Sequence, residues 1–173
     1  TTDITEGVDG NIYISGGYGM QGAPTTAYIV KINQNGTQEW IQNESSSFNT
    51  SGSYIYPVVD NGLAVAGAYS SMDPGWNATG PWLWTTDSLG NTEWDIVLDA
   101  EGIYSYGDLV QHEDGTFIII GGAYYGELSY ALINMDEGLS HNITFNGYYI
   151  EPHDLKALNY NTQIALINYS DNY

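Results

Sequence analysis

Cysteine and arginine do not occur in this chain, and lysine occurs twice, at Lys31 and Lys156. Without cysteine there is no disulfide scaffold, no thiolate metal site and no thiol chemistry, although export is not excluded, because a domain of this size can hold itself together by its core. The two cations stand against 21 Asp plus Glu, a formal net charge of −19. Such a surface repels nucleic acid and anionic lipid, both of which are bound through cationic side chains. No apolar run reaches the roughly eighteen residues a membrane helix needs. Helical periodicity is missing throughout. The chain opens on Thr1 with no signal-peptide pattern, the expectation for a processed or excised chain.

What is present is a half-apolar, tyrosine-rich, glycine-punctuated chain. Apolar residues make up 42%, enough for a core, and 16 tyrosines suit half-buried strand faces where the ring packs and the hydroxyl reaches water. Charged residues are only 13%, too few for a disordered acidic tail. Neutral polar residues cover the rest, a pattern that suits an extracellular or cell-surface protein, where salt screens self-repulsion.

The sequence repeats itself. Thr26–Trp40 and Gly80–Trp94 align on a closing Glu-Trp, so that Asn33, Gly36, Glu39 and Trp40 fall on Asp87, Gly90, Glu93 and Trp94, at a constant offset of 94 − 40 = 54. A third copy without Trp runs from Leu128 through Met135-Asp136-Glu137-Gly138 to Phe145. Each reads as strand, Gly-bearing turn, strand. Before each comes another hairpin, opened by Asp9-Gly10-Asn11, Asp60-Asn61-Gly62 or Asp114-Gly115-Thr116, and followed by an apolar run ending in Gly-Gly or Gly-Ala. Asp-Gly and Asn-Gly between apolar runs are strong hairpin signals, since these residues tolerate positive φ. The closing glycines let two backbones approach or bend the strand.

Four strands per unit follow, the second, for example, being Ser53–Val59, Leu63–Ala68, Trp82–Thr86 and Glu93–Leu98. Units repeating at about fifty residues predict an all-β chain, a β-propeller-type array of four-stranded antiparallel blades. Approximate blades are 1–50, 51–100 and 101–147, with a half-blade over 148–173, about three and a half in a single propeller segment. A two-sheet sandwich shares the strand spacing but not the internal repeat. The repeats resemble the blades of quinoprotein-like (pyrroloquinoline-quinone-type) propellers and their archaeal and bacterial cell-surface relatives. There an Asp-Gly hairpin with an apolar run ending in Gly-Gly precedes a strand, an Asp-x-x-Gly turn and a Trp. The resemblance covers most of the chain and implies fold more than activity. Three and a half blades do not close a ring, so the expectation is a fragment, or an open blade completed by another protein or copy.

Candidate sites are sparse. Six Asn-x-Ser/Thr sequons, Asn35, Asn43, Asn49, Asn77, Asn142 and Asn168, are candidate glycosylation sites for an exported chain. Asn43, Asn49 and Asn77 are expected in loops, Asn35 in a turn. Trp76 is expected in a loop, where its indole either stacks on a sugar or folds over the blade edge. Trp82 and Trp84, two residues apart on one strand, share a face and are expected in the core between blades, with Trp40 and Trp94. Asp73, Asp87, Asp136 and Glu137 are the acids a calcium ion would draw on, but no stretch has calcium-loop spacing, so no metal site is placed. His112, His141 and His153 lack ligand spacing and read as structural or exposed. There is no nucleophile elbow, phosphate loop or zinc motif. A quinone cofactor, which the resemblance would suggest, needs cationic contacts that a chain without Arg supplies poorly.

These features favour a non-enzymatic extracellular or cell-surface structural or adhesive β-propeller segment, with no cofactor and with protein partners. One alternative is a carbohydrate-binding module using loop aromatics. Another is a glycoside hydrolase using carboxylates paired in space.

Overall fold

The computed structural model describes residues 3–19, 25–44, 49–58, 60–70, 79–97, 103–111, 115–123, 128–134, 138–145, 154–156 and 165–167. All regular structure among them is β, in antiparallel sheets. The chain divides into two compact units, Thr1–Glu101 and Gly102–Tyr173.

The first unit holds two four-stranded meanders. The first sheet is β1 (Asp3–Glu6), β2 (Ile12–Tyr18), β3 (Thr26–Ile32) and β4 (Gln38–Asn43), hydrogen-bonded in chain order. The second is β5 (Asn49–Pro57), β6 (Leu63–Ser70), β7 (Thr79–Thr86) and β8 (Thr92–Val97), in the same order. The second unit has a third meander, β9 (Ile103–Gln111), β10 (Phe117–Ala123), β11 (Leu128–Asn134) and β12 (Gly138–Phe145), and a separate two-stranded pair, β13 (Asp154–Lys156) with β14 (Ala165–Ile167).

The sequence repeat is a geometric repeat. Asn33 Oδ1 accepts the N–H groups of Asn35 and Thr37, each at 3.0 Å, and Asp87 Oδ1 accepts those of Leu89 and Asn91 at 2.9 and 2.8 Å. Within each turn a left-handed glycine, Gly36 (φ 81°) or Gly90 (φ 85°), donates its N–H to the Asn33 or Asp87 carbonyl. A side chain that folds onto its own backbone closes the turn without help from the rest of the protein. The bulge beyond it also recurs. Trp40 pairs with Lys31 and Trp94 with Thr85, each one step past an unpaired glutamate, Glu39 or Glu93. In the third sheet His141 takes that register position, opposite Leu132, past an unpaired Ser140.

Burial follows the strand period. In the first sheet Tyr13, Ala27 and Ile29 share one face, and this face packs on Ile55, Leu63, Val65, Trp82 and Trp84 of the second. Both indoles are fully buried, 6.0 Å apart, and each N–H has a partner: Trp82 donates to Asp95 Oδ1, Trp84 to Thr92 Oγ1. Trp40 closes the edge of this core, as expected, lying against Tyr13 and the Gly90 turn. Trp94 is only half-buried. At the seam a Cβ added to Gly52 would come within 2.9 Å of Val65 Cγ1 and 3.4 Å of the Gly16 carbonyl oxygen. The Gly52 backbone thus comes close to that of Gly16, whereas a Cβ at Gly16 itself would meet the Tyr28 ring of its own sheet.

Several strand boundaries differ from expectation, most of all the starts of β7, at Thr79 rather than Trp82, and of β5. The strand expected from Ser53 starts at Asn49, because the Asn49 and Thr50 side chains accept the N–H groups of Thr25 and Ala27 and tie that end to the first sheet.

Gly36→Ala and Gly90→Ala test the Trp40 contact. Both impose left-handed strain of about 1–2 kcal/mol. Nothing lies within 4 Å of a Cβ at Gly36, whereas at Gly90 the new atom would meet the Trp40 ring at 3.1 Å. Urea unfolding should show Gly90→Ala as the costlier by about 1 kcal/mol, and equal losses would mean that the ring moves aside freely.

Candidate functional site

Two clusters of ionisable side chains stand out among the described residues, both in the first unit. The first gathers on the first sheet around Lys31. Its ammonium lies 2.9 Å from Asp9 Oδ2 and 3.4 Å from Glu39 Oε2, and 5.5 Å from the centre of the Tyr13 ring. The Tyr13 hydroxyl donates to the same Asp9 oxygen at 2.9 Å. Burial alone would raise the Asp9 pKa, but hydrogen bonds from Lys31, Asn11 and Tyr13 outweigh it and hold the carboxyl well below the usual range. Burial likewise works against the Lys31 charge, and bonds to Asp9 and Tyr13 overcome it, so its pKa is raised. This is a structural ion pair that ties a hairpin turn to the next hairpin.

The repeat places Asp60, Thr85 and Glu93 where Asp9, Lys31 and Glu39 stand in the first sheet. A hydroxyl replaces the ammonium, and Thr85 Oγ1 is buried without a hydrogen-bond partner. Burial and the charges of Asp60 and Asp87 raise the Glu93 pKa.

The second cluster bridges the two sheets. Glu44, just beyond β4, is 4% exposed, and its Oε2 accepts the Thr50 hydroxyl at 2.5 Å. Thr50 Oγ1 in turn accepts the Ala27 N–H. Asp95 on β8 comes within hydrogen-bonding reach of Glu44 and accepts the Trp82 indole N–H at 2.6 Å. Burial pushes the Asp95 carboxyl up, the Trp82 bond works the other way, and the bond and charge of Glu44 add to the rise, to about 6. Asp95 keeps solvent contact at the rim while Glu44 lies inside. Burial and the neighbouring like charge thus keep the Asp95 carboxyl protonated to higher pH than an ordinary aspartate.

Such a pair can hold and release a proton, but it leaves no room for a substrate. Glycoside hydrolysis needs carboxyls about 5 to 9.5 Å apart with a sugar or water between them. No group of three or more His, Asp or Glu among the described residues could hold a metal ion.

Of the sequons, Asn35 lies exposed at a turn tip. Asn43 and Asn49, expected in a loop, are the last residue of β4 and the first of β5. Asn43 is exposed, whereas Asn49 is half-buried with its Oδ1 committed to the Thr25 N–H. Asn142 lies within β12 opposite Ala131. Asn77, Asn168 and Trp76 fall outside the described residues, as do Asp73, Asp136, Glu137, His112 and His153. Asp87 caps its own turn.

Sequence reading missed the Glu44–Asp95 pair. A signal existed, because the repeat puts Asp95 where the first sheet has Ile41. A charge replacing an aliphatic residue opposite a core Trp, as Asp95 is opposite Trp84, calls for a partner. Which partner was not legible, since Glu44 meets it only when the sheets stack.

Asp95→Asn tests the pair. A carboxyl whose folded pKa is raised contributes stability that is full below its unfolded value, near 3.9, and lost as pH rises through about 6. Asn mimics the protonated acid, its oxygen accepting from Trp82 and its amide donating to Glu44. Urea midpoints of the native protein should fall between pH 4 and 6 relative to those of the variant, leaving the variant the more stable at pH 7. Parallel pH profiles would contradict the raised Asp95 pKa.

The sequence matches no protein-family model and is not significantly similar to any curated protein.

Proposed function

We propose that this chain is a segment of an extracellular or cell-surface β-propeller with a structural or adhesive role rather than an enzymatic one. The observation that carries this is the recurrence of one four-stranded meander with the same turns, bulges and register, stacked front to back in the first unit. On this reading the third meander and the β13–β14 pair of the second unit are further blades or blade parts of the same kind. A rigid stack of sheets offers exposed turns and faces for attachment, and fold by itself fixes no chemistry.

Two further features support the role. The described ionisable clusters are engaged in structure, one as an ion pair and the other in hydrogen bonds between sheets. The exposed sequons Asn35 and Asn43 lie where a glycan would not disturb the core. The strong negative charge suits a surface that stays soluble in salt and rejects nucleic acid and anionic membranes.

Cell fractionation of the native source with glycopeptide mapping tests the proposal. The chain should be found at the surface or outside the cell, with glycan on Asn35 or Asn43 and less or none on Asn49. A cytosolic, unmodified chain would contradict it.

A further inference from the structure

The first two sheets correspond residue by residue around the place where the first carries its lysine. Lys31 pairs with Tyr13 and Trp40, and Thr85 with Ala64 and Trp94. The turns before β2 and β6 correspond as well, since Asp9 Oδ1 accepts the Asn11 N–H and Asp60 Oδ1 the Gly62 N–H. In the first sheet Asp9 and Glu39 flank the Lys31 ammonium. Their counterparts Asp60 and Glu93 form no ion pair among the described residues.

The third sheet supplies a contrast. There Leu132 and Ser140 hold the places of Lys31 and Glu39, so cation and acid are lost together. The second sheet drops the cation and keeps the acids. Asp87, in place of Asn33, even adds a negative charge that reaches Glu93, although its own oxygens are committed to its turn. A separate observation points to the same spot. Thr85 is 1% exposed, and its Oγ1 has no hydrogen-bond partner, a costly state for a buried hydroxyl. By register this side chain leaves β7 on the face from which Lys31 leaves β3 to reach its acids. The bulky Lys31 and Tyr13 that fill the place in the first sheet are the small Thr85 and Ala64 in the second.

We propose that Asp60, Glu93 and Thr85 Oγ1 form a calcium site, in which an ion from solution does for the second sheet what the Lys31 ammonium does for the first. Two carboxylates and a hydroxyl offer oxygen alone, the donor set of a hard cation, and water completes the shell. Calcium suits the place better than magnesium, because it accepts irregular oxygen shells, whereas magnesium demands a near-ideal octahedron and dehydrates reluctantly. With only two carboxylates the site belongs to the weak range of extracellular modules, a Kd on the order of 10⁻⁴–10⁻³ M. The ion ties the turn before β6 to the β7–β8 hairpin. The site rests on register and burial and is independent of the surface-protein proposal.

Urea unfolding of the full 173-residue chain, freed of metal and titrated with calcium or magnesium chloride at one ionic strength, tests the proposal. Comparing the two salts removes the screening that any divalent ion gives a chain of net charge −19. Calcium should raise the urea midpoint and saturate, and magnesium should raise it less. Glu93→Gln, at an exposed position, should shift the calcium response to about tenfold higher concentration or more, because affinity follows ligand charge. Glu6→Gln, which removes an exposed acid of the first sheet, should leave the response unchanged. Thr85→Lys installs the first sheet's own cation and should abolish the response. If Thr85→Lys does not fold, the exposed Asp60→Asn takes its place and should weaken the response as Glu93→Gln does. Equal effects of the two salts on the native chain, a Glu93→Gln or Asp60→Asn chain that responds as the native one does, or a folded Thr85→Lys chain that still responds to calcium would overturn the site.

Discussion

Packing of the two sheets of the first unit on each other is the constraint on which the rest of that unit depends. Strands such as β3 and β6 are apolar on successive residues rather than on alternate ones. The Tyr13, Ala27 and Ile29 face of the first sheet meets the Ile55, Val65 and Trp84 face of the second, around Trp82 and Trp84. Truncating a buried Trp costs about 3–5 kcal/mol, against about 5–15 for a whole domain. The two indoles therefore decide whether the sheets stay together. Their N–H groups are satisfied by Asp95 and Thr92, both on β8, so the edge strand is held by the same residues that fill the core.

Charge works around this core. A chain with ten acids for each cation places Lys31 where it is worth most, between Asp9 and Glu39 and beside the Tyr13 ring. At the equivalent place in the second sheet there is Thr85, and Glu93 is left among acids that raise its pKa. Between the sheets, Glu44 and Asp95 are held by hydrogen bonds from the Thr50 hydroxyl and the Trp82 indole instead of by a cation. The stack therefore tolerates an acidic chain by different local means at repeat-equivalent positions.

Much of the fold was legible because it is local. Asn33 and Asp87 bond to their own turns, and Gly36 and Gly90 supply the left-handed residue there, so spacing alone placed the hairpins. The shared face of Trp82 and Trp84 follows from the two-residue strand period. What could not be read were features that exist only after sheets meet. The early start of β5 depends on N–H groups of Thr25 and Ala27, and the Glu44–Asp95 contact joins residues of different sheets.

Native-state hydrogen exchange tests most directly whether the stacked pair of sheets is one cooperative body. The Ile29 amide in β3 and the Val65 and Trp84 amides of the second sheet should share one opening free energy. Trp84→Ala should lower all of them together, by about 3–5 kcal/mol. If the second-sheet amides alone respond while Ile29 keeps its protection, the sheets are stable separately, and their packing on each other is not what holds this unit together.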